Sequence, residues 1–311
     1  MGLARQYLEP PVNHHNDQIL KLMIECSERV RLAVINANRA TLSESVGMGA
    51  DGESTSRIDK LAEDAALACL ASNPLHGNVL SEEIGFVDRG SALTFILDPI
   101  DSTSNATVSG ELLESVNPAS APSEPGRDLP HNSQMIGFPY FAFSLAAMID
   151  GRIVAGCVRN LPTGDLFTAA KGAGTRLNDV PVSTANITSL RKAWVALIRP
   201  SGDQGLRRVS EILVQAKRIR VTGCSALDIA LIASSGVHAL VNPNAHRPPN
   251  SGEKVVDYAA AQLILTEAGG VVSDTEGNPL PLDFDIARLT PVLAAATPQL
   301  QEDLIRSIHP D

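Results

Sequence analysis

Stretches in which apolar residues recur every three or four positions alternate along this chain with short continuous apolar runs, the pattern of an α/β protein. The spacing predicts a long helix over 16–40. Within 58–71, Ile58, Leu61, Ala62, Ala65 and Cys69 fall on one face and predict a second helix, whose polar face carries Asp59 and Glu63. "LTFIL" (93–97) suits a buried strand that delivers Asp98 to its carboxyl end. "YFAFSLAAMIDGRIVAGCV" (140–158) reads as two strands joined at Asp150 and Gly151, a pair suited to a hairpin turn. A second hairpin is expected near 166–184. Beyond 190 the order is strand, helix, strand, helix, through "AWVALI", "ALDIALIASSG", "HALVN" and "VDYAAAQLILTEAGG". A boundary is placed there, between an N-terminal half (1–190) and a C-terminal half (191–311). Residues 107–134, rich in Pro, Ser and charge, read as a surface loop or lid.

Length and charge narrow the partners. A chain of 311 residues is long enough for about two domains. A formal charge of −10 argues against a nucleic acid polymer or an anionic membrane surface. There is neither an apolar run of about 18 residues nor a basic, apolar, small-residue leader, so a cytoplasmic protein is expected. Cys26, Cys69, Cys157 and Cys224 are scattered without a C-x-x-C pair, which suits reduced core thiols.

The segment "LDPIDSTSNA" (97–106) carries the chemistry. Asp98 and Asp101, with Pro99 stiffening the turn between them, can aim two carboxylates at one spot where a hard cation would sit among oxygens. The following hydroxyls and amides would open a helix whose N-terminus favours an anion such as phosphate. Taken alone, an ordinary helix N-cap explains the segment better.

Its companions change that balance. Glu82 in "LSEEIGF" precedes Asp98 by sixteen positions, and Asp257 opens the apolar segment "VDYAAAQLILTEAGG". Together these three segments resemble the inositol monophosphatase superfamily of magnesium-dependent, lithium-sensitive phosphatases. The resemblance extends through "DGESTSRIDKLAED", "GFPYFAFSLA", "VRNLPTGDLFTAAKGAG" and "VTGCSALDIALIASSG", from about residue 16 onwards. Its details are most similar to the archaeal-type branch, whose members hydrolyse both fructose 1,6-bisphosphate and inositol 1-phosphate. It implies a layered αβαβα sandwich of the sugar-phosphatase type, with the metal cleft between its halves, and a Mg²⁺-dependent hydrolase of a small sugar or cyclitol phosphate.

The resemblance also implies roles. Glu82, Asp98 and Asp101 with the carbonyl of Ile100 would hold one Mg²⁺, and Asp98, Asp101 and Asp257 a second. Asp59 with Glu82 would reach a third. Asp59 and Thr103, assisted by Glu82, would orient the attacking water and take its proton, while the amides of Ser102 and Thr103 hold the phosphoryl oxygens. Five converging carboxylates repel one another unless cations neutralise them. Glu83 ranks below Glu82 as a ligand, and Glu267 with the glycines after it reads as a helix C-cap. A homodimer is expected. The runner-up substrate is 3'-phosphoadenosine 5'-phosphate, and the competing class is a phosphatase-like binding protein without turnover.

Three departures from the family pattern bear on specificity. Ser102 stands where Gly is usual and either crowds the phosphate or points away. Residues after Ala106 form an insertion beside the site. Asn242 follows "HALV" where an acidic residue usually binds a sugar hydroxyl, and Arg247 and Lys254, in or beside the next loop, are candidates to attract a second phosphate.

Overall fold

Helix α1 (His14–Ile35) buries Ile19, Met23, Cys26, Val30 and Val34 on one stripe. It stops short of the expected residue 40 because the Asn36 side chain turns back and donates to the Leu32 carbonyl at 2.8 Å, competing with helical continuation. The structure is a computed structural model describing residues 14–38, 41–107, 138–244 and 252–309. A short antiparallel hairpin, β1 (Ser45–Met48) with β2 (Ser54–Ser56), leads into α2 (Arg57–Ala71). Ser56 and Asp59 form a capping box there, each satisfying the other's backbone amide.

The first sheet has eight strands: β3 (Asn78–Ser81), β4 (Gly85–Val87), β5 (Leu93–Asp101), β6 (Ala142–Ile149), β7 (Arg152–Asn160), β8 (Leu166–Ala170), β9 (Thr175–Leu177) and β10 (Val180–Val182). Their order is β10-β9-β8-β7-β6-β5-β3-β4, and only β3 and β5 run parallel. Asp150 (φ 49°) and Gly151 (φ 71°) make the expected tight turn between β6 and β7. The region near 166–184 forms successive hairpins, β8–β9 and β9–β10; the second turns through Asn178 and Asp179, both left-handed.

The second sheet holds β11 (Trp194–Leu197), β12 (Arg218–Arg220), β13 (Ala239–Val241), β14 (Val271–Asp274) and β15 (Val292–Ala295), ordered β12-β11-β13-β15-β14. Four helices accompany it: α3 (Gly202–Gln215), α4 (Ser225–Ala233), α5 (Val255–Glu267) and α6 (Pro298–Ile308). The amphipathic α3 and α6 are absent from the sequence expectation.

Three apolar clusters define the layers. One joins α1 and α2 to the eight-stranded sheet, one fills the space between the sheets around α4 and α5, and one lies under α3 and α6. The order helix, sheet, helix, sheet, helix is the αβαβα sandwich. α5 approaches β7 so closely that a Cβ on Gly156 would lie 2.6 Å from the Ala260 carbonyl oxygen. Among the described residues no helix is long and apolar enough to cross a membrane. The expected lid at 107–134 lies, past Thr107, outside the described residues.

Candidate active site

Strand β5 does not end at Asp98 but runs on to Asp101. Asp98 pairs with Ser144 and Asp101 with Ala142, so the strand carries one extra residue, a bulge. Residues three apart on a regular strand face opposite sides, and the bulge turns Asp101 back to the side of Asp98. The Ile100 amide closes it by donating to Asp98 Oδ1 at 2.9 Å. Both carboxylates thereby face the inter-sheet layer, where Asp257 sits in the first turn of α5.

Burial and mutual repulsion dominate this cluster. Asp98 is held well above the ordinary carboxylate range, first by burial and then by the charges of Glu82, Asp101 and Asp257. Burial likewise pushes Asp257 well up, with Glu253, Asp101 and Glu82 adding to it. Burial raises Asp101 as well, although its Oδ2 accepts from the Ala226 amide at 2.6 Å and from Cys224 Sγ at 3.3 Å. Asp257 Oδ2 accepts from the Lys254 amide at 2.7 Å.

Asp59 and Glu63 correct the sequence reading: the supposed polar face of α2 is buried at both positions, because it turns toward the carboxyl ends of β3 and β5. Asp59 Oδ2 accepts from Ser56 Oγ at 2.6 Å, and Asp59 Oδ1 from Thr103 Oγ1 at 2.7 Å. Thr103 Oγ1 also lies 3.3 Å from the Ile100 carbonyl. Glu63 accepts from Ser81 Oγ at 2.6 Å, directly behind Glu82. Glu83 accepts from Thr55 Oγ1 and is pushed up to about 7, chiefly by burial.

Ser102 adopts a left-handed backbone (φ 75°), and its hydroxyl is buried without a hydrogen-bond partner among the described residues. It lies toward Gly223, whose added Cβ would sit 3.7 Å from it. Residues 103–107 are helical. Asn105 clasps this turn in place, its Nδ2 donating to the carbonyls of Tyr140 (2.7 Å) and Thr222 (2.8 Å).

Two further substrate-binding candidates are engaged by the protein itself. Asn242 is 1% exposed; its amide donates to Glu253 at 2.8 Å and accepts from the Asn244 backbone at 3.0 Å, so it braces the loop after β13 rather than facing a cleft. The Lys254 ammonium is drawn into the acidic cluster, bonded to Asp51 and, at 2.7 Å, to Glu82 Oε1, because opposite charge is nearer there than solvent. Arg247 lies outside the described residues.

Several residues of this region escaped the sequence reading. Asp51 and Glu53 place ligand oxygens within 4.8 Å of each other and of the expected ligand Glu82, and Asp51 is marked in sequence only by its turn motif "DGE". Glu253, buried beside Asp257, carries no signal beyond a charge in a loop. Asp228, fully buried in α4, accepts from Tyr140 Oη at 2.5 Å and from Thr222, and burial lifts it to about 6.

Residues 16–310 match the inositol monophosphatase family. The chain is 31% identical over 293 residues to the fructose-1,6-bisphosphatase/inositol-1-monophosphatase of Methanothermobacter thermautotrophicus, covering 92% of this chain and 94% of that one. It is also 31% identical over 261 residues to the bifunctional NADP phosphatase/NAD kinase of Methanocaldococcus jannaschii, covering 81% of this chain and 44% of that protein. Among solved structures, the extragenic suppressor protein suhB of Bartonella henselae superposes with a TM-score of 0.73 at 23% identity, over 94% of this chain and 99% of that one.

Proposed function

The chain belongs to the inositol monophosphatase family and so to the phosphoric monoester hydrolases, and on that premise we propose that it hydrolyses a small sugar or cyclitol phosphate with Mg²⁺, fructose 1,6-bisphosphate and inositol monophosphate heading its substrates. The observation that carries this reading is the convergence of buried Asp98 and Asp101 with half-buried Asp257 and Glu82, next to the hydrogen-bonded pair Thr103 and Asp59.

These residues fit a hard divalent cation. They offer oxygen donors only, their ionisation is opposed by burial and repulsion, and the lone ammonium among them, that of Lys254, does not balance their charge. Glu82, Asp98, Asp101 and the Ile100 carbonyl would hold one ion, and Asp98, Asp101 and Asp257 another. A bound ion lowers the pKa of its water and neutralises charge on the leaving oxygen.

The chain's own residues supply the rest. Thr103 commits its hydroxyl proton to Asp59 Oδ1 and so turns lone pairs outward to accept from a water. Asp59, steadied by Ser56, is the base at the end of that relay. The first amides of the turn at 103–107 have no intrahelical acceptor and suit phosphoryl oxygens.

The test is phosphate release from fructose 1,6-bisphosphate, inositol 1-phosphate, 3'-phosphoadenosine 5'-phosphate and NADP, with and without Mg²⁺, beside Asp101→Asn. Mg²⁺-dependent release from the first two, abolished by the substitution, is expected. Release from the nucleotides alone would move the substrate class, and no release from any ester by folded protein would refute the reading.

A further inference from the structure

We propose that Lys254 is a tethered cation that competes with a divalent ion for Glu82 and, while it holds that place, latches the β1–β2 hairpin over the site. The inference rests on the phosphatase reading, since it gives Glu82 to an ion.

The geometry is that of a filled seat. Asp51, Glu53 and Glu82 bring ligand oxygens within 4.8 Å of one another, and the Lys254 ammonium lies among them, bonded to Asp51, 2.7 Å from Glu82 and 3.8 Å from Glu53. The Lys254 side chain is 12% exposed and that of Asp51 3%, so the pair is shielded from screening water. An ammonium and a divalent ion cannot share Glu82 at such range without strong repulsion. The third ion that the family resemblance implies at Glu82 therefore faces a resident rival.

The same ammonium spans the molecule. Lys254 caps α5 and its backbone amide holds Asp257, while its side chain reaches the tip of a hairpin 203 positions earlier in the chain. The outer strand of that hairpin is lightly anchored. All four residues of β1 are exposed and, among the described residues, β1 pairs with β2 alone; β2 is held by its buried Thr55, which donates to Glu83, and the tip by the Ala50 amide, which donates to the Glu83 carbonyl at 2.9 Å. Removing the ammonium leaves three carboxylates facing one another, which frees the tip and opens the seat to a divalent ion.

The experiment uses the full chain, with Mn²⁺ as probe, in wild type, Lys254→Met, Lys254→Gln and Lys254→Arg. Ion stoichiometry and affinity are read by calorimetry, and amide exchange is followed over residues 45–56. Lys254→Met and Lys254→Gln are expected to bind one more Mn²⁺ than wild type, or to bind at this seat at least about tenfold more tightly. Without ion their hairpin amides should exchange at least about tenfold faster, and Mn²⁺ should restore protection. Lys254→Arg, which keeps the charge, should behave as wild type. Unchanged stoichiometry and affinity in both neutral variants, or unchanged hairpin exchange, overturns the proposal. Wild type that binds no Mn²⁺ at all would instead remove the phosphatase reading beneath it, and each variant's thermal melt separates misfolding from either outcome.

Discussion

Replacing Ser102 with Gly should make the protein more stable. A left-handed backbone costs a residue with a Cβ about 1–2 kcal/mol, and a buried hydroxyl without a partner about 1 kcal/mol. Both conditions hold at Ser102. Against them stands about 0.7 kcal/mol for the greater freedom of Gly in the unfolded chain. The net expectation is a gain of about 1–2 kcal/mol, or a few degrees in melting temperature. Ser102→Ala removes the hydroxyl but keeps the Cβ, and should gain less. Urea denaturation followed through the single tryptophan, Trp194, resolves such differences as shifts in midpoint at constant slope. A lower midpoint for Ser102→Gly would refute the reasoning. The KM for a phosphate ester gives an independent check: it should be unmoved if the hydroxyl points toward Gly223, and raised if it holds the phosphate.

Two other consequences are open to measurement. Asp228 has a folded pKa of about 6, above its ordinary 3.8, so the stability it lends is full below about pH 4 and is lost as pH rises through 6; the difference in unfolding free energy between wild type and Asp228→Asn should therefore change by about 2–3 kcal/mol between pH 4 and 8, in favour of the variant at high pH. Gly156→Ala drives a methyl against the Ala260 carbonyl, 2.6 Å away, and should cost about 2–3 kcal/mol; because α5 must shift to relieve it, Mg²⁺ affinity should fall with stability, and calorimetry showing stability lost but affinity kept would contradict this.

Much of the scaffold is readable from the chain. The apolar stripe of α2 and the Asp150–Gly151 turn follow from periodicity and from the conformations those residues tolerate. Periodicity fails where it equates charge with solvent. Asp59, Glu63, Asp228 and Glu253 are all buried, since a site built from carboxylates takes them inside. The β5 bulge is equally hidden: "LDPID" gives no sign that strand pairing resumes at Asp101 with one residue to spare. Nor does sequence tell where a long side chain goes. Lys254 reads as a loop cation beside a phosphate, and only the fold brings Asp51 and Glu82 to its ammonium. Asn242, read as a substrate contact, is consumed by Glu253 and Asn244 because the loop after β13 needs its own donors and acceptors.

The hydrogen bond from the Ala226 amide to Asp101 joins positions 125 residues apart. On a ribosome, then, the eight strands of the first sheet can emerge and pair while Asp101 still lacks the amide that orients it, and Asp257 is later still to appear. A nascent or truncated chain would lack the inter-sheet helices that cover one face of the first sheet, and with them a working centre. Turnover is for this reason a reporter of complete synthesis and docking, more stringent than any spectroscopic measure of secondary structure.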